Sequence, residues 1–378
     1  MFSMNSFAQT SKINVNEFKG LEKTLKFETS KPVKLTKASS ANKVKAQAAP
    51  EGTTKLYYAD YGESVYQLGV LQRAHEKYGI VFGADGTVNI PNMFARSIVG
   101  EDIYLKGTYN ESTNEITIDN NQEIYNEDGA SLVVCNINPE TGEAMTSSNF
   151  KLTLDPETGL ISSAEGTFLG AFLNYGNNTT LYTYCTSLYY YPAELFPEAV
   201  SHNYTYKDYY GDNMSTTVDI VNLGELFYIK NLMPEHPNAW MVGYFDGNNL
   251  VVPSYIIGDD DVALLFATTD EIIESCTFTY NSSTDSYTSE SGVELLDYFY
   301  YDGDSQNQAG FYLSNSCSNM VITGKTTGIN KVENGSENVV STNYYDLSGR
   351  RINNASKGIS IKVMKYADGT SKAVKVMK

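Results

Sequence analysis

The stretch GTVNIPNMF, residues 86–94, decides the fold class because its apolar and polar side chains alternate. Val88 and Ile90 alternate with Thr87 and Asn89, and a period of two places the apolar residues on one face of a β-strand. Similar short alternations, broken by Gly, Asn and Asp, begin near residue 52. They are typical of antiparallel strands joined by tight turns. The sequence therefore predicts an all-β protein.

The same stretch occurs a second time in altered form, as ELFYIKNLM at residues 225–233. Three further blocks recur in the same order along the chain. KLYYADYGE (55–63) parallels YTYKDYYGD (204–212), IYLKGTY (103–109) parallels AWMVGYF (239–245), and LTLDPETGL (152–160) parallels FTYNSSTDS (278–286). Four blocks in one order indicate a duplicated unit of about 125 residues, with each copy folding as one domain.

The duplication predicts two tandem antiparallel β domains, each a sandwich or an up-and-down barrel, since both architectures hide strand edges. We expect the first domain at residues 52–195 and the second at residues 200–325. Gly107 and Gly243 occupy matching strand positions, where a missing side chain marks a bulge or a close packing approach. The stretch ESVYQLGVLQRAHEKYG, residues 63–79, is ambiguous and also fits a short helix.

Charge divides the chain into three parts. The whole chain has 45 Asp and Glu against 27 Lys and Arg, a net charge of −18. Residues 1–50 hold nine lysines against three acids, and residues 325–378 hold ten basic residues against four acids, so the acids concentrate between them. An acidic region of this kind repels phosphate and anionic membrane surfaces. We therefore expect no nucleic-acid partner, and no apolar run is long enough to predict a transmembrane helix.

The sequence lacks the common motifs of catalysis and cofactor binding. His75, His202 and His236 show no metal-ligand spacing, and neither HExxH nor GxSxG occurs. His236 is expected to be a solvated turn residue. No CxxC pair is present, and isolated core thiols are expected at Cys135, Cys185, Cys276 and Cys317. We expect no cofactor.

Two acidic clusters offer the hard oxygen ligands that calcium prefers. The candidates are Asp259, Asp260 and Asp261 in GDDD, and Asp302 and Asp304 in DGDSQN. Neither cluster has the ligand spacing of the twelve-residue calcium loop, and a solvated turn is the alternative interpretation. A carboxylate pair for glycoside hydrolysis cannot be singled out among so many acids.

Tyrosine is unusually abundant, with 30 residues against one tryptophan. The tyrosines concentrate in two stretches, LYTYCTSLYYYP (181–192) and DYFYYDGD (297–304). Alternation places Tyr182 and Tyr184 on one strand face, with Tyr298 and Tyr300 on the second Tyr-rich strand. Such a platform would stack against sugar rings or an extended peptide. The alternative is that these rings pack within half-buried strands.

The two ends of the chain differ from its acidic middle. Ser6-Phe7-Ala8 has the small residues that a signal peptidase accepts, and the rest of residues 1–50 is rich in Lys, Ser, Thr and Ala. We interpret residues 1–50 as the remnant of an export signal followed by a flexible basic leader. Residues 326–343 are polar and are expected to be a linker to a closing β segment at residues 344–378.

The closing segment resembles the C-terminal sorting segment of type IX secretion. It carries D-x-x-G-R as Asp346, Gly349 and Arg350, followed by a strand with Gly358 in KGISIKV. The repeat pattern is similar to secreted β-rich proteins of uncharacterised function from the Bacteroidetes. The resemblance implies export through the periplasm, recognition by the outer-membrane secretion machinery, and a secreted or cell-surface location. The alternative is a third small β module, or an edge hairpin packed on the second domain.

From these features we expect a non-catalytic protein that binds glycans, peptides or a surface protein. The alternative is an extracellular carbohydrate-active enzyme of the glycoside hydrolase type. Two carboxylates facing each other at roughly 5–10 Å would favour the enzyme. Two similar domains without such a cleft would favour binding.

Overall fold

The computed structural model of the protein contains two closed antiparallel β-barrels and a small third sheet at the C-terminus. The all-β fold with two tandem domains is thus confirmed, and each domain is a barrel rather than a sandwich. Among the described residues, no helix is long and apolar enough to cross a membrane. The described residues are 27–29, 50–66, 69–100, 102–224, 226–254, 256–257, 262–301, 310–324, 339–345, 351–352, 359–366 and 371–377.

The first repeat contains eleven strands: β1 (Thr53–Val65), β2 (Gly69–Phe82), β3 (Thr87–Pro91), β4 (Tyr104–Asn110), β5 (Glu115–Ile118), β6 (Gln122–Glu127), β7 (Ala130–Asn136), β8 (Phe150–Leu154), β9 (Ile161–Ser163), β10 (Phe168–Tyr175) and β11 (Asn178–Pro192). Eight of them close a barrel in the order β1-β2-β3-β4-β5-β8-β9-β11, because β11 returns to pair with β1. The other three, β10, β7 and β6, extend from β11 as a side sheet. A helical turn, α1 (Arg96–Val99), follows β3.

The second repeat has the same plan. Its strands are β12 (Val200–Lys207), β13 (Asn213–Asn222), β14 (Leu226–Lys230), β15 (Trp240–Asp246), β16 (Asn249–Pro253), β17 (Ile256–Ile257), β18 (Ala263–Ala267), β19 (Ser275–Asn281), β20 (Ser286–Ser289), β21 (Glu294–Tyr301) and β22 (Gly310–Thr323). The barrel closes through β12-β13-β14-β15-β16-β19-β20-β22, and β21, β18 and β17 form the side sheet.

Irregular features recur at matching places, which supports duplication more strongly than the number of strands does. The last strand of each barrel shifts register at a residue with positive φ, Ser187 at 53° and Asn319 at 49°. The N–H of the next residue donates a hydrogen bond to a serine hydroxyl in both repeats, to Ser163 at 3.0 Å and to Ser289 at 3.1 Å. A shared bulge with the same side-chain bond is hard to obtain from two unrelated barrels.

The predicted alignment of the repeats needs one correction. Three of the four sequence blocks fall on corresponding strands, namely β3 with β14, β4 with β15, and β8 with β19. The first block is out of register. The bulge lies between Asp60 and Gly62 in β1 and between Thr205 and Lys207 in β12, so Asp60 corresponds to Thr205 rather than to Tyr209. The abundance of tyrosine in both blocks makes a shifted alignment look plausible.

Alternation along the strands fills each barrel as predicted. Val88, Ile90 and Leu105 lie in the core of the first barrel, and Phe227, Ile229 and Met241 occupy the equivalent places in the second. The predicted close approach at the paired glycines is also confirmed. A Cβ on Gly107 would collide with the Thr117 carbonyl, and one on Gly243 with the Val251 carbonyl and the Phe227 ring.

In the ambiguous stretch at residues 63–79, the end of β1 and most of β2 are described, and none of the described residues is helical. β1 and β2 pair along most of their length, with a register shift between Ala59 and Tyr61. Opposite this shift His75 adopts a φ of 55°. The extra residues of a bulge interrupt the period of two, which explains why the sequence pattern was ambiguous.

The C-terminal sheet has the strand order β24-β23-β25-β26, formed by β23 (Val339–Tyr345), β24 (Arg351–Ile352), β25 (Ile359–Tyr366) and β26 (Ser371–Met377). β23 begins at Val339, within the stretch expected to be a linker. Ile361 and Val363 are buried against Leu160, Tyr189 and Tyr191 of the first repeat. The described part of the sheet therefore packs on the first repeat, whereas the alternative interpretation placed a hairpin on the second.

The two repeats also pack on each other. Leu71 of β2 is buried with Leu265 and Leu296 from the side sheet of the second repeat. Next to it, Gln72 pairs in parallel with Ile256 of β17, which joins the two sheets through the backbone. Because apolar burial and strand pairing coincide here, the repeats share one continuous interface.

Candidate functional site

One end of the second barrel carries exposed aromatic residues close to several acids and a histidine. We call it the second-barrel rim, and define it as the β12–β13 turn (208–212), Glu235 and His236 in the loop before β15, and Asp297 of β21. Burial raises the pKa of the Cys317 thiol, and the nearby charges of Glu235, Asp208 and Asp297 raise it further. All three acids lie close enough to Cys317 for their charges to act on its thiol.

The β12–β13 turn is held in shape by Asp208. Its carboxylate accepts hydrogen bonds from the backbone N–H groups of Tyr210 at 3.0 Å and Asp212 at 2.9 Å. Its own backbone N–H donates to the Asp212 carbonyl, and Gly211, with a φ of 83°, donates to the Asp208 carbonyl. Aspartate commonly stabilises a turn through such bonds to nearby N–H groups. The turn is therefore ordered before any ligand arrives.

This ordered turn presents two tyrosines to solvent. Tyr210 is 81% exposed and Tyr209 is 41% exposed, with ring centroids 5.4 Å apart in an edge-to-face arrangement. Met214, at the start of β13, is also exposed. Three large apolar side chains at one hairpin tip are more than the scattered exposure that is usual on protein surfaces.

His236 and Asp297 form a pair behind this tip. The distance from His236 Nε2 to Asp297 Oδ2 is 3.0 Å, and Asp297 is 2% exposed. The other carboxylate oxygen, Oδ1, has no hydrogen-bond partner among the described residues. His236 lies in a turn, as expected, but its side chain is anchored by a buried carboxylate and is only 14% exposed. The pair joins the loop before β15 to the side sheet.

Two acids of the rim, Glu235 and Asp208, also affect the pKa of Tyr206 in β12. Burial, together with the neighbouring Cys317, Glu235 and Asp208, raises the pKa of Tyr206 to about 12. Tyr206 stacks on Tyr204 with ring centroids 5.1 Å apart. The hydroxyl of Tyr204 donates to the Leu232 carbonyl at 3.0 Å. Tyr204 thus connects β12 to the loop before β15.

The first barrel has a different polar cluster, formed by ion pairs. Arg73 bridges two carboxylates, with Nε 2.6 Å from Glu63 and Nη1 3.3 Å from Glu76. Arg96 of α1 binds Glu76 as well, at 3.2 Å. The hydroxyls of two buried tyrosines, Tyr61 and Tyr78, also lie within 3.1 Å of Glu76. Both carboxylates thus bind groups of the same network, and we interpret the cluster as structural.

The predicted tyrosine platform does not form as expected. Tyr184 is fully buried, and Tyr298 is 9% exposed. Tyr182 packs on the barrel core, whereas Tyr184 belongs to the side-sheet cluster. The reason is a bulge, since Ala171 and Phe172 of β10 pair with Thr183 and Leu181 and leave Tyr182 unopposed. Tyr300 lies on β21, and its side chain is outside the described residues.

The other predicted sites fall outside the described residues. This applies to the calcium candidates Asp259, Asp260, Asp261, Asp302 and Asp304, and to Asp346, Gly349, Arg350 and Gly358 of the sorting-like segment. Within the described part of the chain, no group of three His, Cys, Asp or Glu residues is placed to hold a metal ion. All four cysteines are free and buried, which confirms the expectation of core thiols.

The sequence did contain a signal for the rim that our prediction missed. KDYYGD places two adjacent tyrosines between an Asp and a Gly-Asp pair, which is a turn composition. Adjacent residues in a short turn cannot both point into the core, so at least one ring had to be exposed.

Comparison of the chain with protein-family models gives no match, and comparison with curated proteins gives no significant match.

Proposed function

We propose that the protein is a non-catalytic binding protein of the cell surface or the secreted fraction, and that the second-barrel rim contacts glycans. The observation that carries this proposal is the pair of exposed rings, Tyr209 and Tyr210, on a turn fixed by Asp208. A rigid turn reduces the entropy lost when a ligand is bound. The apolar face of a sugar ring can pack on such aromatic side chains.

The acids of the rim supply the second requirement of glycan binding. Glu235 and Asp212 are exposed, and carboxylate oxygens accept hydrogen bonds from sugar hydroxyls. The same acids disfavour anionic ligands. We therefore expect neutral or cationic glycans rather than sulfated ones. An extended peptide that packs on the same rings is the competing outcome of the experiment below.

The glycoside hydrolase alternative has less support. Such an enzyme needs one carboxyl group as a proton donor and a second as nucleophile or base. Glu63 and Glu76 are brought together in the first repeat by Arg73, which forms an ion pair with each of them. At the rim, the buried carboxylate of Asp297 is bound to His236.

The direct test is binding of full-length protein to a glycan array, followed by titration of the best ligands. The double variant Tyr209→Ala/Tyr210→Ala should lose at least about tenfold in affinity, if a sugar ring on an aromatic side chain gains as much as a stacked nucleobase, about 1–3 kcal/mol. Tyr175→Ala is the matched control, since Tyr175 is 60% exposed at the tip of a hairpin in the other repeat. Equal loss in both variants, or binding only to peptides, would contradict the proposal.

Export is the second part of the proposal, and the basic closing segment supports it through its resemblance to a sorting signal. Arg350→Ala, within D-x-x-G-R, should retain the protein in the periplasm of a host with type IX secretion. Lys375→Ala, in the last strand, removes a charge outside the motif and serves as the control. Surface delivery of the Arg350 variant at the normal level would exclude a sorting role for this motif.

A further inference from the structure

The side sheets of the two repeats present the same apolar face. Both faces contain a register shift at the same place, between Ala171 and Phe172 in β10 and between Asp297 and Tyr298 in β21. Matching positions of the two faces are Val133 and Ala263, Cys135 and Leu265, Ile137 and Ala267, Phe172 and Tyr298, and Leu181 and Leu313. The duplication thus produced two equivalent apolar surfaces, and each of them needs a cover.

The β1–β2 hairpin contributes to the cover of both faces, and Phe27 contributes to one of them. In the second repeat the cover is the β1–β2 hairpin of the first, through Leu71 and Val65. In the first repeat the cover is Phe27, together with Val70. Phe27 belongs to the predicted leader, so this part of the leader is packed rather than free. In both repeats, therefore, part of the cover comes from a segment that precedes the repeat in the chain.

Phe27 enters its site as a single aromatic anchor. It is 8% exposed and lies edge-to-face on Phe168 at 5.1 Å and on Tyr184 at 5.6 Å. The backbone of Gly142 closes the site, because a Cβ there would lie 2.7 Å from the Phe27 ring. Two edge-to-face ring contacts and the close approach of the Gly142 backbone suit a flat aromatic ring better than an aliphatic side chain.

We propose that this face, the Phe27 groove (Cys135, Ile137, Phe168, Phe172, Leu181 and Tyr184), is a binding site for an extended peptide with one aromatic anchor, and that Phe27 occupies it in cis as a built-in competitor. The described residues of the occupying segment are Phe27, Glu28 and Thr29. A peptide that contacts the same rings can replace Phe27. Phe27 then controls access to the groove.

The first experiment tests whether Phe27 is the cover. Cys135 lies in the groove and is 3% exposed, whereas Cys185, Cys276 and Cys317 are buried in the barrels. In full-length Phe27→Ala, a thiol reagent should label Cys135 about tenfold faster than in the unchanged protein, because local opening controls access. The fast phase should disappear in Phe27→Ala/Cys135→Ser. An unchanged labelling rate would overturn the proposal.

The second experiment tests whether the groove binds peptide. The peptide TLKFETSKP, which copies residues 24–32, should slow Cys135 labelling in the Phe27→Ala protein in a saturable manner. The peptide concentration that gives half-maximal protection measures its dissociation constant. The same peptide with Ala in place of Phe should give none. If the Phe peptide also fails, the groove is only an intramolecular packing surface.

Gly142→Ala blocks the groove without changing the leader, and Gly129→Ala is its matched control. The two glycines have φ values of 78° and 77°, so an alanine is equally strained at both. A Cβ at Gly142 would meet Phe27, whereas one at Gly129 meets nothing within 4 Å. Gly142→Ala should expose Cys135 and should not respond to peptide, while Gly129→Ala should behave like the unchanged protein. Identical behaviour of the two variants would contradict the proposed groove.

Discussion

Asp60 of the first barrel accepts a hydrogen bond from the Tyr228 hydroxyl of the second barrel at 2.5 Å. Its other carboxylate oxygen accepts from the backbone N–H of His75 at 2.8 Å. Asp60 is 3% exposed and lies at the bulge of β1. A buried carboxylate held by a donor from each side connects the two repeats directly, because losing either donor leaves a charge poorly compensated.

Tyr228→Phe should destabilise the protein by about 2–3 kcal/mol, since it removes a hydrogen bond to a buried charged group. The loss should appear in urea unfolding followed by tyrosine and tryptophan fluorescence. Tyr175→Phe, at an exposed position, is the control and should change stability by less than about 0.5 kcal/mol. Equal stability of the two variants would mean that the Asp60 bond is replaced by water.

His75 makes the interface sensitive to acid. Its ring stacks on Tyr58 at 3.8 Å and touches Phe196, Tyr228 and Trp240. Burial lowers the pKa of His75 from 6.5 to about 3, so the folded state keeps the ring neutral. The unfolded chain binds the proton first, and stability therefore falls as the pH decreases from about 6.5 towards 3.

His75→Asn should flatten this pH dependence, removing up to about 4 kcal/mol of the difference in unfolding free energy between pH 7 and pH 3. Asparagine tolerates the positive φ at this position. The measurement is urea unfolding at several pH values, compared with NMR of the ring protons in the unchanged protein. A His75 ring that titrates near pH 6.5 would contradict the buried neutral state.

The C-terminal sheet is expected to stabilise the first repeat through buried contacts. Ile361 of β25 is 2% exposed and packs against Leu160, Tyr189 and Tyr191. Ile361→Ala should lower stability by about 2–4 kcal/mol through the lost burial and the cavity.

Lys365→Ala is the control for the same strand. Its ammonium lies 3.3 Å from Glu157, and both side chains are more than 40% exposed. Loss of this pair should cost less than about 1 kcal/mol because solvent screens exposed ion pairs. Thermal melts of both variants measure the difference. If Ile361→Ala melts like Lys365→Ala, the sheet contributes little to the stability of the first repeat.

The duplicated serine bonds allow the two barrels to be perturbed in the same way. Ser163→Ala and Ser289→Ala each leave one buried N–H without its acceptor, at about 1–3 kcal/mol. Each variant should lower the protection of backbone amides against hydrogen exchange in its own barrel. The strands of the other barrel should be less affected. If both variants destabilise all strands equally, the two repeats unfold as one unit.

Local sequence information predicted the strands and the duplication well. Val88 and Ile90 alternate with polar residues because a strand that is covered on one face needs a period of two. Gly107 and Gly243 were identified from their matching positions, since no other residue leaves room for the neighbouring strand. Each of these features depends on neighbours within a few residues, or on the similarity of one repeat to the other.

The placement of side chains across the fold depended on contacts between residues far apart in the chain. The bulge at Tyr182 separates it from Tyr184, and a bulge cannot be read from a simple alternation. His236 meets Asp297 across the second repeat, Phe27 fills the face of the first, and the C-terminal sheet packs on Tyr189 and Tyr191. Periodicity assigns a residue to one face of a strand, but the free energy of burial is set by whatever covers that face. That cover is supplied by distant parts of the chain, and only the folded arrangement identifies it.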